Sequence, residues 1–109
     1  MREDALCRRY QAGEATVGEL TELWEAVRGY ARESARAAMC QGLAGRMEWD
    51  DLAEDTMLRA VSSLGTYRRE AGTLRTWVAA VFRSVLGDHR RRQAREMSAL
   101  RELLRRMDP

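Results

Sequence analysis

The side chains of this chain best suited to chemistry are arginines, and the chemistry they suit is the binding of phosphate. All 19 basic residues are arginine, and each presents a planar fork of donors that matches a phosphate group. The densest run, Arg90, Arg91 and Arg92, closes the stretch TLRTWVAAVFRSVLGDHRRRQ, from Thr73 to Gln93. Along it Leu74, Trp77, Val78, Val81, Phe82, Val85 and Leu86 recur at the spacing of a buried helix face. The opposite side carries Arg75, Arg83, Arg90 and Arg91 between the small residues Ala80, Ser84 and Gly87. An extended polyanion could lie close to such a backbone. The competing account is a solvated face whose last cations favour the helix C-terminus through the macrodipole.

Two neighbouring segments bear on that choice. The loop before the helix holds Tyr67, Arg68 and Arg69, and an aromatic beside positive charge on an exposed turn is how single-stranded nucleic acid is stacked and held. Upstream, Asp51, Glu54, Asp55 and Leu58 fall at i, i+3, i+4 and i+7 of a predicted helix. Acids in a first turn stabilise a helix, which accounts for Asp51. The leucine that continues the stripe outward is more typical of a docking surface.

Charge divides along the chain in the same sense. Residues 1–57 carry 12 acids and 7 bases, net −5, whereas residues 58–109 carry 5 acids and 12 bases, net +7. Such a division suits two partners of opposite charge. Asp88 next to His89 has no accompanying nucleophile, there is no phosphate loop, and no buried carboxylate pair is expected, so the chain does not read as an enzyme. Cys7 and Cys40 lack metal-ligand spacing, which points to no metal and no cofactor. No apolar run reaches the roughly 20 residues of a membrane span and no signal peptide opens the chain. A cytoplasmic protein without membrane insertion is expected.

The elements that must position these residues read as helices throughout. Glu3 to Ala12 is a short amphipathic helix ending at Gly13, and Thr16-x-x-Glu19 has the form of a capping box at the start of a second. The second helix buries Leu20, Leu23, Trp24, Val27, Ala31, Ala35 and Ala38 and is broken by Gly42 and Gly45. A third runs from Asp50 to Leu64, facing inward with Leu52, Ala53, Met57, Ala60, Val61 and Leu64, and Gly65 opens the loop GTYRREAG. After the helix from Thr73 to Gln93 comes an amphipathic stretch, Arg95 to Met107, with Met97, Leu100, Leu104 and Met107 on one side. The predicted fold is all-α, a compact bundle of about four helices with a C-terminal helical tail. Residues 1–93 form the domain and residues 94–109 begin an interdomain linker or a partner-binding tail.

In order and spacing, DDLAEDTMLRAVSSLGTYRREAGTLRTWVAAVFRSVLGDHRRRQ resembles region 2 of bacterial RNA polymerase sigma factors, in particular the extracytoplasmic-function (ECF) branch. The pattern of that branch is an acidic D-L-x-Q-E-x-x-L-R-A helix, an F-R loop, then F-R-x-W and a D-H-x-R-R ending. Asp51-Leu52, Leu58-Arg59-Ala60, Tyr67-Arg68, Leu74-Arg75-Thr76-Trp77 and Asp88-His89 with Arg91-Arg92 match it. Glu54-Asp55 stands where the family has glutamine and glutamate.

The resemblance implies partners and roles. Asp51, Glu54, Asp55 and Leu58 would dock on the clamp helices of the polymerase β′ subunit. Tyr67, Arg68, Arg69, Arg75, Trp77 and Arg83 would capture the single-stranded non-template strand of the −10 promoter element, with one base flipped into a loop pocket, and Arg90, Arg91 and Arg92 would hold upstream phosphates. It also implies a region 4 domain, so this chain is expected to be a piece of a longer protein or a stand-alone region 2. The alternative is a sigma-like regulatory module that binds a protein, such as an anti-sigma factor, and no DNA.

Overall fold

A computed structural model of the chain describes residues 2–43, 45 and 47–108. Four α-helices follow one another: α1 (Arg2–Gln11), α2 (Val17–Cys40), α3 (Trp49–Ser63) and α4 (Leu74–Met107). The capping box at α2 is formed, with Thr16 Oγ1 accepting from the Glu19 amide at 3.1 Å and the Glu19 carboxylate accepting from the Thr16 amide at 2.9 Å. That backbone hydrogen bond, with Arg9 alongside, holds the Glu19 carboxyl below its ordinary pKa. Gly42 and Gly45, at φ +71° and +62°, adopt the left-handed conformation that lets the chain leave α2.

The core has two parts. Leu6 and Cys7 of α1, Val27 and Ala31 of α2, Ala60 of α3 with Leu64 just beyond its end, and Leu74 and Val78 of α4 fill the first. The second is built on the small residues Ala35 and Ala38 of α2, which let Leu52 of α3 and Phe82, Val85 and Leu86 of α4 approach. Leu20 and Trp24 are half-buried rather than buried. Trp24 meets Tyr10 of α1 edge to face at 5.6 Å, an arrangement that favours aromatic pairs. Met57 and Val61 are also only half-buried. Thr56, which the apolar pattern passes over, is fully buried and donates its hydroxyl to the Leu52 carbonyl oxygen at 2.6 Å.

Two expectations are corrected. The arginine run does not end a helix, because α4 continues without a break to Met107, 34 residues in all. Nothing between Asp88 and Met107 interrupts it, neither proline nor glycine. Cations at positions 90–92 therefore sit mid-helix, where the macrodipole gives them no particular benefit. Second, the loop aromatic Tyr67 is not exposed but 3% accessible. From Arg95 onward nearly every side chain of α4 is exposed, including Met97, Leu100, Leu104 and Met107.

Candidate functional site

α3 packs against both α2 and α4 and presents its acidic stripe as a crest. Asp51, Glu54, Asp55 and Leu58 are all exposed, Leu58 at 58%. The crest is tied to α4 at two points. His89 Nε2 donates to Asp55 Oδ2 at 2.7 Å, since a carboxylate only accepts. Arg59, next to Leu58, pairs with Asp88 at 2.8 Å and donates to Ser84 Oγ at 3.1 Å. Arg91 also pairs with Asp88, and the two guanidiniums, Arg59 first, hold the Asp88 carboxyl below the usual carboxylate range. Asp88 and His89 are thus neighbours in sequence that serve different partners on α3. They brace one helix against another.

The loop before α4 is folded onto α1. Two short 3-10 turns, Leu64–Thr66 and Arg69–Ala71, flank Tyr67 and Arg68, and Gly72 at φ +130° returns the chain to α4 in a conformation open to glycine. The Tyr67 hydroxyl donates to the Gly72 carbonyl oxygen at 2.9 Å and lies 3.4 Å from Asp4 Oδ1. Its ring packs on that of the half-buried Trp77 at 5.7 Å, and burial pushes its phenol pKa up. A ring so enclosed offers no face for a base to stack on. Burial here follows from contacts with α1, more than fifty residues upstream. Gln11 Nε2 donates to the carbonyl oxygens of Leu64 and Tyr67 at 3.1 and 2.8 Å, and Arg69 Nε donates to Asp4 Oδ2 at 3.0 Å. Asp4 and Gln11 therefore belong to the site, although nothing local in the sequence marks them beyond their polarity on an amphipathic helix.

Between α1 and this loop is a cavity of about 130 Å³ whose walls include Asp4, Arg8, Gln11, Arg68 and Glu70. Arg68 stands at its edge, exposed, with Nη1 donating to the carbonyl oxygens of Gly65 and Tyr67 at 3.2 and 3.0 Å. Cys7 and Tyr67 also line the pocket, so apolar surface lies beside donors and acceptors that could read the edge of a nucleobase.

The arginines of α4 separate into groups. Arg75 pairs with Glu33 of α2. Arg83 is exposed beside a groove between α2 and α4 lined by Ser34, Ala37, Gln41 and Ala79, with no acidic partner among the described residues. Arg90 donates to the Leu43 carbonyl oxygen, and Arg91 reaches Asp88. Arg75, Arg83, Arg90 and Arg91 thus share the broad outer side of the helix, flanking the small residues Ala80 and Gly87. Arg92 does not join them. Nine residues beyond Arg83, it is turned about 180° around the helix from it.

A family model described as Sigma-70 region 2 matches residues 20–96, from within α2 through α3 and the loop to beyond the arginine run of α4. No curated protein and no solved structure matches the chain.

Proposed function

Because the chain belongs to the sigma-70 region 2 family, a non-enzymatic domain that acts in transcription initiation through RNA polymerase and promoter DNA, we propose that it is the region 2 module of an ECF-type sigma factor. Its crest of Asp51, Glu54, Asp55 and Leu58 docks on the clamp helices of the β′ subunit. Its loop and the outer side of α4 hold the non-template strand of the −10 element, unpaired. Arg68 and Arg69 meet the flipped base at the mouth of the pocket between α1 and the loop, and Tyr67 positions them from beneath. Trp77 supports Tyr67. Arg75, Arg83, Arg90 and Arg91 follow the phosphates, and Arg92 contributes from the other side of the helix. This work is done in the cytoplasm, and no described helix is long and apolar enough to cross a membrane.

The observation that carries this reading is the opposition of two charged faces on one braced pair of helices. The acids of α3 face outward on one side, the arginines of α4 on another, and Asp55–His89 and Arg59–Asp88 hold the two together. A regulatory module would use the acidic crest but would have no use for an arginine face together with a base-sized pocket walled by Arg8, Arg68 and Arg69. One feature favours a protein partner in addition: Leu100, Leu103 and Leu104 stand about half exposed on the tail, at 47%, 54% and 57%, and an anti-sigma factor is a partner of the right kind. Size-exclusion chromatography of the chain with RNA polymerase core tests the proposal. Co-elution with core is expected, and a chain that elutes alone at micromolar concentration would leave the regulatory reading.

A further inference from the structure

Among the described residues, five arginines form ion pairs between elements. Arg2 meets Glu22, Arg9 meets Glu19, Arg59 meets Asp88, Arg69 meets Asp4 and Arg75 meets Glu33. The groove between α2 and α3 is different. It has a volume of about 420 Å³; Arg28 and Arg32 of α2 stand on one wall, Asp50, Asp51 and Glu54 of α3 on the other, and Met57 in its floor. Among the described residues none of these five charges makes an ion pair, although opposite signs face each other across the slot. One turn further on, Arg36 is stacked over the Trp49 ring at 5.4 Å, so the arginine row of α2 is anchored at one end and free at the other two positions.

Two opposed and unpaired rows of charge suit an occupant that carries both signs. Arg28 and Arg32 are four residues apart and lie on one line along α2. A helix that lays acidic and basic side chains side by side along the groove would meet arginines with its acids and the α3 carboxylates with its bases. Each charge then gains a partner, and the half-buried methionine beneath supplies apolar contact. An all-basic surface would be attracted by α3 and repelled by α2, so the groove discriminates against it.

We infer that the docking surface is not the acidic crest alone but a two-sided groove in which Arg28 and Arg32 of α2 select a partner helix bearing both acids and bases. This rests on the proposed docking through Asp51 and Glu54, which form the facing wall, and it adds α2 residues to the interface.

The test uses the full chain and a fragment of the β′ subunit containing its clamp helices, with affinity measured by titration calorimetry at two salt concentrations. Arg28→Gln with Arg32→Gln removes charge without placing acids opposite acids, and Tm should not move because neither arginine is paired. Binding is expected to weaken about tenfold or more and its salt dependence to become shallower. A clamp fragment whose acids are changed to amides should lose affinity for the parent chain but lose little further against the double variant, the signature of direct coupling. If R28Q/R32Q binds as the parent does while Asp51→Arg with Asp55→Arg abolishes binding, the crest docks and the groove inference is wrong. If the acidic double variant also binds like the parent, the docking reading falls, and this inference with it.

Discussion

His89 of α4 and Asp55 of α3 share a hydrogen bond of 2.7 Å, and His89 is the less exposed of the two, at 15% against 48%. Asp55 therefore presents one carboxylate oxygen to solvent while the other is held, which fixes the rotamer of an acid on the crest proposed to dock. A side chain already held in its binding geometry has less entropy to lose on association.

The first prediction follows from that crest. Asp51→Arg with Asp55→Arg should abolish binding to the isolated β′ clamp helices while circular dichroism stays that of the parent and Tm falls only slightly, because both side chains are exposed and the Asp55–His89 brace that is lost is a surface contact. Interfacial charge pairs that lose one partner commonly cost about 2–5 kcal/mol. Undiminished capture of the double variant in a pull-down would remove this surface from the account.

The loop can be tested through one oxygen atom. Tyr67→Phe keeps the ring on Trp77 and deletes the hydroxyl that donates to Gly72. The loss should be about 1 kcal/mol, lowering Tm by roughly 5 °C for a domain of this size. Since the variant loosens the turn that carries Arg68 and Arg69, discrimination between DNA strands should fall more than total binding does. A Tm equal to that of the parent would mean that the hydroxyl does not close the loop.

These particulars mark what was and was not legible in the sequence. The Thr16–Glu19 cap, the alanine side of α2 and the apolar stripe of α4 are local patterns, and the structure has them where periodicity puts them. Tyr67 is the opposite case. A tyrosine flanked by arginines and glycine reads as exposed, and only the docking of α1, through Asp4 and Gln11, encloses it. No window of sequence around residue 67 contains that information. The continuity of α4 could have been read from the absence of any helix breaker after Gly87; the change from apolar to basic composition suggested a boundary where the backbone has none. The acidic crest was legible as a stripe, but its braces from Asp88 and His89 were not, since adjacent residues pointing to different partners look like a pair.

Alkaline stability offers a third prediction. Burial, helped by Asp4 and Glu3, raises the Cys7 thiol from 9.0 to about 11, and the Glu3 hydrogen bond raises the Tyr30 phenol to about 12. In both cases the folded state holds its proton more tightly than the unfolded chain. Their contribution is therefore complete below the unfolded pKa and is lost as pH rises through the folded value. The urea midpoint should hold steady up to about pH 8 and then fall between about pH 9 and pH 11. Cys7→Ala should start lower, from poorer packing, and show a shallower decline. A parent midpoint independent of pH across that window would contradict the burial of Cys7.

The arginines should not be equivalent. Replacing Arg83, Arg90 and Arg91 with alanine should weaken binding of polymerase-bound domain to every single-stranded sequence, and the log–log salt slope should flatten by roughly 0.7 for each phosphate no longer neutralised. Arg92→Ala should change the slope much less, because Arg92 faces away from Arg83. Equal slopes for the Arg92 and Arg83 variants would show that the outer side of α4 is not the phosphate track.

Promoter-strand recognition is the claim on which the rest depends, and strand preference measures it directly. With the chain held on RNA polymerase core at low salt, fluorescence anisotropy should report tighter binding of a single-stranded oligonucleotide carrying the non-template −10 sequence than of its complement. Base-edge contacts from Arg68 and the pocket behind it give the preference, since unstacked bases expose edges that a duplex conceals, while phosphate contacts alone would treat both strands alike. A clear preference for the non-template strand, abolished in Arg68→Ala, is the predicted result. Equal affinity for both strands and for scrambled sequence would contradict promoter recognition by this domain.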